Sequence, residues 1–302
     1  FNLTLERQIR DVGVRLSYVG SRNIGINYNL AINKPPPSLT AFSQARRPYS
    51  QFVGVNFIQT DGRQQYDSFT LEAKRRTGWV TFDGFWTWGH NMLNYLNLEN
   101  PYQHHFWNRD DSTPRHRVVI NSLFEVPVGR GRRFLPNIPG AVNQAIGGWQ
   151  VAWLAMFQSG QFFSPSFSGR DPSNTNTSGG LPDRICNGNF PPERRSLNLW
   201  FDPACFSVPP AGRFGNSGVD VLEGPGLHTH NISITKRFRL TERLRLDYMA
   251  TISNLLNHRN YEFPGNNISV PGQAGVITAQ HGRFRNERSG ARFIDMRLRL
   301  EF

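Results

Sequence analysis

The sequence predicts an all-β chain, folded as an antiparallel barrel wall of about ten strands that is incomplete and carries long loops at one end. Three observations predict it. Apolar residues recur at every second position in segment after segment. Tight connectors mostly alternate with long ones rich in Asn, Ser, Gly and Pro. The C-terminal segment alternates apolar and charged residues and ends on an aromatic one, Phe302.

The strands follow in chain order. Val12, Val14, Leu16 and Tyr18 alternate with Gly13, Arg15 and Ser17, and Ile24, Ile26, Tyr28, Leu30 and Ile32 continue the pattern. Val80, Phe82, Trp86 and Trp88 share one face, with Thr81, Asp83 and Thr87 on the other. Val118, Ile120, Phe124 and Val126 obey the same rule, as do Val151, Trp153, Ala155 and Phe157. Leu244, Leu246, Tyr248, Ala250 and Ile252 alternate with Arg245, Asp247, Met249 and Thr251. Such period-two segments are strands with one apolar face. A short helical turn is expected near Gly140 to Gly147. The pairing between Ser21 and Gln65 stays open: an extended hairpin above a membrane, or an extra pair of spanning strands.

Composition narrows the class. The 302 residues include 23 Phe, 8 Tyr and 7 Trp, too many aromatics for a disordered chain. Net charge is +12, carried by 31 Arg and only 3 Lys. Arg suits phosphates, carboxylates and interior ion-pair networks, so the charge points to nucleic acid, an anionic membrane surface or an acidic ligand. The longest apolar run, Val151 to Phe157, is far short of the ~20 residues of a spanning helix. A barrel strand needs only ~9–11 residues, every second one apolar.

The connectors favour the membrane. Ile9 to Asp11, Arg76 to Gly78 and Leu240 to Arg243 are tight. Pro35 to Gln51, Asn91 to Pro114, Ser164 to Gly226 and His258 to Gly290 are long. A compact soluble domain rarely carries several loops beyond ~15 residues, whereas outer-membrane barrels have short periplasmic turns and long outer loops. In the final strand Ile294, Met296, Leu298, Leu300 and Phe302 would meet lipid and serve as the C-terminal barrel-assembly strand. Asp295, Arg297 and Arg299, with Arg245 and Asp247 of the preceding strand, would face the lumen. Rows of lumen Arg would favour anionic solutes.

Several landmarks occur in one order along nearly the whole chain. Val12-Gly13-Val14-Arg15-Leu16-Ser17-Tyr18-Val19-Gly20-Ser21-Arg22 precedes Arg47-Pro48-Tyr49, then Tyr66-Asp67-Ser68-Phe69 and Trp86-Thr87-Trp88-Gly89. Glu125-Val126-Pro127-Val128-Gly129-Arg130-Gly131-Arg132-Arg133-Phe134 precedes Gly147-Gly148-Trp149-Gln150-Val151. Trp200-Phe201-Asp202, Phe214-Gly215-Asn216, Gly224-Pro225-Gly226, Phe238-Arg239-Leu240-Thr241-Glu242-Arg243 and Asn254-Leu255-Leu256-Asn257-His258 follow. With these landmarks the chain resembles the C-terminal part of the barrel of Oar-like TonB-dependent transporters. His228-Thr229-His230 departs from the ordinary strand residues expected there.

The resemblance implies a location in the cell outer membrane of a Gram-negative-type bacterium. It also implies a closed barrel of about 22 strands around a plug, and a Ton box touching an inner-membrane energy complex. Residues 1–302 are expected to be a fragment: the C-terminal portion of such a barrel, with signal peptide, plug and Ton box absent and two open edges. Its partners would be outer-membrane lipid and lipopolysaccharide, the missing plug and remaining strands, TonB through the missing N-terminal region, and the barrel-assembly machinery. Its function would be the wall of a receptor for energised uptake or export-linked passage of a ligand. A non-energised porin or surface adhesin barrel is one alternative; a soluble β-sandwich binding nucleic acid or glycan is another.

Other candidates weigh less. Cys186 and Cys205 lie in the longest loop, and an exported loop meets an oxidising compartment, so a disulfide is expected. His228 and His230 share a face of a regular strand, but no neighbouring Cys or carboxylate completes a metal shell. His104 and His105 would point apart in a loop. The run from Asp171 to Asn176 superficially suggests a calcium loop, yet lacks regular acidic ligands and a closing Glu, and reads as solvated loop. The Gly129 to Arg133 segment lacks the interleaved stacking aromatics of a nucleic-acid site, so no nucleic acid is expected. Asp110 and Asp111 are adjacent and would face apart, forming no carboxylate pair alone. No esterase elbow, zinc-protease helix or phosphate loop occurs, and no enzyme activity, catalytic residue, metal or cofactor is expected.

Overall fold

The computed structural model describes residues 1–302 apart from 282, 285 and 286, and apart from the side chains of 283, 284, 287 and 288. Nine long strands dominate: β1 (Asn2–Ile9), β2 (Val12–Ala31), β3 (Asn56–Arg75), β4 (Val80–Leu93), β5 (His116–Glu125), β6 (Trp149–Gln158), β7 (Leu227–Arg239), β8 (Arg245–Ser253) and β9 (Phe293–Glu301). Each pairs antiparallel with its neighbours in chain order, and the two-residue strand Asn108–Arg109 adds to β4, giving a ten-stranded sheet. The sheet is open: β1 and β9 stand at its two edges.

The registers sort side chains onto two faces. Leu16 lies opposite Leu71, Leu71 opposite Trp86, and Trp86 opposite Val118. Val118 lies opposite Phe157, and farther along Ile232 faces Ile252, which faces Ile294. Apolar residues therefore run in rows across one face, and one residue of slip would move every row to the other side. The opposite face carries ion pairs. Arg15 reaches Glu6 at 2.5 Å and Glu72 at 3.2 Å, and Arg237 Nε reaches Asp247 at 2.7 Å. Arg245, Asp247, Asp295, Arg297 and Arg299 all lie on this polar face, while Ile294, Met296, Leu298 and Leu300 lie on the apolar one. Leu298 and Met296 are 69% and 67% exposed, so no protein interior covers them.

The apolar face is banded. Trp149 packs edge-on against Phe238 and Tyr248 near one end of the strands. Phe69, Trp86 and stacked His116 mark the other end. Along β6, Trp149 and Phe157, the latter in row with Trp86 through Val118, bound a stretch of nine residues counting both, the span of a membrane strand.

The connectors divide by end. Residues 10–11, 76–79 and 240–244 are short, and Arg10 takes a left-handed conformation (φ 55°) to close the tightest turn. Residues 126–148 at the same end are longer and contain the expected helix, α1 (Gly140–Ile146). Its Ala145 carbonyl accepts Lys236 Nζ at 2.7 Å. Lys236 lies in an apolar row, buried with its ammonium over the Trp149 and Phe238 rings. At the opposite end residues 32–55, 94–115, 159–226 and 254–292 form the long connectors. The region between Ser21 and Gln65 resolves as one extended hairpin: β2 and β3 stay paired to Ala31 and Asn56, with register shifts between Ile24 and Tyr28.

Candidate functional site: the interlocked loops

The long loops fold into a cap with its own core. Phe163, Phe201, Cys205, Phe206 and Leu222 are buried together, with Val221, Ile268 and Ala274 packed on them. Three residues separate β6 from a short ladder, Phe162–Phe163 with Leu222–Glu223. Entry to it requires glycine: a Cβ on Gly160 would sit 1.8 Å from the Gly224 carbonyl oxygen. Cys186 and Cys205 are joined in a disulfide, with Cα atoms 4.9 Å apart.

Hydrogen bonds knit loop to loop. Ser38 N donates to Ser173 O, and Asn174 Nδ2 donates to Ser38 O at 2.8 Å. Gly212 N donates to Pro172 O, and Val219 N donates to Asn108 Oδ1. Ile268 N donates to Ser166 O. Glu99 accepts Leu181 N on both carboxylate oxygens at 3.2 Å, and Lys34 Nζ donates to Glu99 O. Burial pushes the Glu99 carboxyl up and the Lys34 ammonium down. The segment at Asp171 is thus no solvated loop. Its carboxylate accepts Ser173 Oγ, Thr175 N, Asn176 N and Thr177 N, and Ser173 and Thr175 are almost fully buried. Asp is used there as the hub of a turn, with no lone pair left idle for a cation.

Two clusters arise from residues that the sequence keeps apart. Tyr28, in the upper part of β2, donates to Asp61 Oδ1 at 2.8 Å, and its oxygen lies 2.9 Å from His104 Nε2. His105 Nε2 reaches Asp61 Oδ2 at 3.2 Å, and the two His rings lie 4.2 Å apart. Contrary to the expectation of opposed faces, both His rings meet one Tyr–Asp pair, because residues 94–107 curl back over the hairpin. Burial and the Asp61 bond push the Tyr28 hydroxyl up to about 12, and the Tyr28 hydrogen bond holds Asp61 below its ordinary value.

The second cluster gathers Asp110, Asp111 and Asp220. Burial pushes Asp110 up, but bonds from Thr113, Ser112 and Asn91 outweigh it and hold the group low. Burial raises Asp111, and burial raises Asp220 to about 7 against a single Ser164 hydroxyl donor. Sequence spacing cannot find this cluster, since Asp220 arrives from another loop. Among the described residues no group of three or more His, Cys, Asp or Glu is arranged to hold a metal ion. His228 and His230 do share a face, with Nε2 atoms 2.8 Å apart, and Trp153 Nε1 donates to His230 Nδ1 at 3.2 Å.

What the arrangement offers is therefore a wall and a folded, cross-linked cap. The polar face holds a concavity of about 500 Å³ lined by Thr81, Asp83, Asn121, Leu154, Asn231 and Ser233 among others. Arg15 and Arg237 on that face are neutralised by their carboxylate partners.

No curated protein matches the chain. Among solved structures, the outer membrane transporter YddB from Escherichia coli is similar with a TM-score of 0.46 and 11% identity. The match covers 99% of this chain and 32% of that one, so the chain spans about a third of the transporter's length. The outer membrane beta barrel domain model matches residues 1–290, nearly the whole of the paired wall and its cap. The chain belongs to the outer membrane β-barrel domain family, and its place is the outer membrane.

Proposed function

We propose that residues 1–302 are the C-terminal portion of the barrel of an Oar-like TonB-dependent transporter. The apolar face meets lipid, and the row of Arg245, Asp247, Asp295, Arg297 and Arg299 faces the lumen. The interlocked loops collect the ligand outside the cell. The plug and the remaining strands would close the two edges, and TonB would act through the plug-bearing part. The barrel-assembly machinery would read the Ile294, Met296, Leu298, Leu300 and Phe302 face. This chain has no catalytic role in that reading.

The observation that carries the proposal is the pairing of an open nine-strand wall with a folded cap at one end only. A sheet with two bare edges needs further strands to complete it. The ordered landmarks from Val12 to His258 supply the Oar-like assignment.

The test is cross-linking of the full-length gene product to TonB in cells. A cysteine placed in the Ton box should form a TonB adduct, and deleting the Ton box should abolish it. A full-length product lacking a plug, or an adduct indifferent to that deletion, would favour the non-energised porin or adhesin.

A further inference from the structure

His228-Thr229-His230 departs from the strand residues expected at its place, and it lies where the wall meets a loop. β7 pairs with β6 from Leu227 onward, but with β8 only from Ile232. The edge left over beside residues 227–231 is taken by the root of connector 254–292. Leu255 N donates to His230 O. His228 N donates to Asn260 Oδ1 at 2.8 Å, and Asn260 Nδ2 donates to His228 O at 3.1 Å. Asn254 N donates to Asn231 Oδ1 at 2.9 Å, and Asn254 and Asn260 are both buried. The backbones of the two histidines thus carry the connector. Their side chains meet it as well, since the His228 and His258 rings lie 4.6 Å apart.

The hydrogen bonds of the pair admit one assignment of protons. An indole N–H only donates, so His230 Nδ1 accepts from Trp153 Nε1 at 3.2 Å. The His230 proton is then on Nε2 and is donated to His228 Nε2 at 2.8 Å, which leaves the His228 proton on Nδ1. Both rings are neutral in this chain of bonds, and each nitrogen that could take a further proton is already an acceptor. A proton on His228 Nε2 removes the bond from His230, and a proton on His230 Nδ1 removes the bond from Trp153. No opposite charge faces the pair to stabilise a cation. From β6 it meets Trp153 and Phe157, which are uncharged. His258, Arg259 and Tyr261 of the connector and His116 of β5 line the groove beside His228, and among the described residues no carboxylate does. Glu262 of the same connector is engaged by His281 Nδ1 at 2.8 Å and does not line it.

We propose that Trp153, His230 and His228 form an acid-sensitive latch, which holds the root of connector 254–292 on β7 at neutral pH and releases it in acid. The closed latch excludes a proton that a freed imidazole binds at its ordinary value of ~6.5. Opening therefore takes up protons and is favoured as pH falls through that value. Stability from the latch is full above about pH 7 and is lost below about pH 6. Ile268 and Ala274 of the same connector pack on the cap core, so release of the root bears on the cap. The latch goes beyond the transport reading and needs no energy coupling.

Hydrogen exchange of the full-length protein in detergent, corrected for the intrinsic pH dependence of exchange, tests it at residues 254–260. Opening there should be about tenfold more frequent at about pH 5.5 than at about pH 7.5, the ratio for uptake of one proton at ~6.5. H228Q/H230Q removes both titrating rings, and its opening should be equal at the two pH values. W153F keeps both histidines but frees His230 Nδ1. The closed latch can then take a proton without losing a bond, and the ratio should fall below about threefold. A change that merely loosened packing would raise opening at both pH values and keep the ratio. A wild-type ratio near one would overturn the proposal, as would a tenfold ratio retained in either variant. If H228Q/H230Q fails to fold, W153F alone decides. The readout stays within residues 254–260, because burial of Asp220 in connector 159–226 gives that loop a pH response of the opposite sense. Loss of the TonB adduct with the acid step intact would count against the proposed function and leave the latch standing.

Discussion

Asp220 shows how single residues set the stability of the cap. Its carboxyl is raised from 3.8 to about 7, chiefly by burial. Between those values the folded cap binds a proton that the unfolded loop has released. Stability from this group is therefore full below about pH 4 and is lost as pH rises through about 7. Asn cannot ionise, keeps a Ser164 partner, and tolerates the left-handed backbone of this position (φ 55°). D220N should make the cap less sensitive to pH between 4 and 8, and at pH 8 should stabilise it by ~1–2 kcal/mol after allowance for solvent screening. Limited proteolysis of residues 159–226 across that pH range reads this out, and a wild-type cap indifferent to pH would refute it. Asp171 acts oppositely. D171A strips four donors of their acceptor, two of them on the buried residues Ser173 and Thr175, and should cost the cap ~2–3 kcal/mol by the same assay.

At the scale of elements, alternation is readable wherever one physical boundary decides it. In β9 an exposed apolar face and a polar face sort residues by period two, and lipid on the apolar side is the proposed reason, so Ile294 to Leu300 can be assigned from the sequence without any pairing. The upper part of β2 shows the same alternation for a different reason. A strand of 20 residues extends ~66 Å, about twice the hydrocarbon thickness. Tyr28 and Leu30 are consequently 8% and 2% exposed beneath other protein, where lipid cannot reach. Period alone could not separate these causes, and the register shifts near Ile26 leave no signal in composition. The distinction predicts unequal responses to charge. M296R places a cation on the lipid face near mid-strand and should destabilise the wall by ~2–4 kcal/mol, whereas R297Q on the polar face should change it by less than ~1 kcal/mol. Urea titration of the full-length barrel refolded into vesicles measures both, and equal costs would contradict the two-faced wall.

Across the whole molecule, wall and cap are stabilised by different means. The wall is an extended ladder with little interior, while the cap has a small apolar core closed by a disulfide and by bonds between distant loops. That is why the wall was legible and the cap was not. Strand alternation is local, but Tyr28–His104, Asp110–Asp220 and Ser38–Ser173 bring together residues far apart in the chain, and turn-rich sequence specifies no such neighbours. The cysteines are the exception, since an exported loop with two of them makes a bridge the economical reading. Cys186 and Cys205 are 19 residues apart, and closing a loop of that size restrains the unfolded chain by ~3 kcal/mol in the entropy model. The bridge lies beside Phe201, Phe206 and Leu222, so its loss should act on the cap core and leave the β1–β9 ladder intact. The C186S/C205S protein should open its cap about a hundredfold more often, seen as faster hydrogen exchange at residues 185–206. Exchange in β4, β5 and β6 should stay at the wild-type rate. Unchanged exchange in the cap would show that loop-to-loop bonds alone hold it, and faster exchange in the wall would show that cap and wall unfold as one unit.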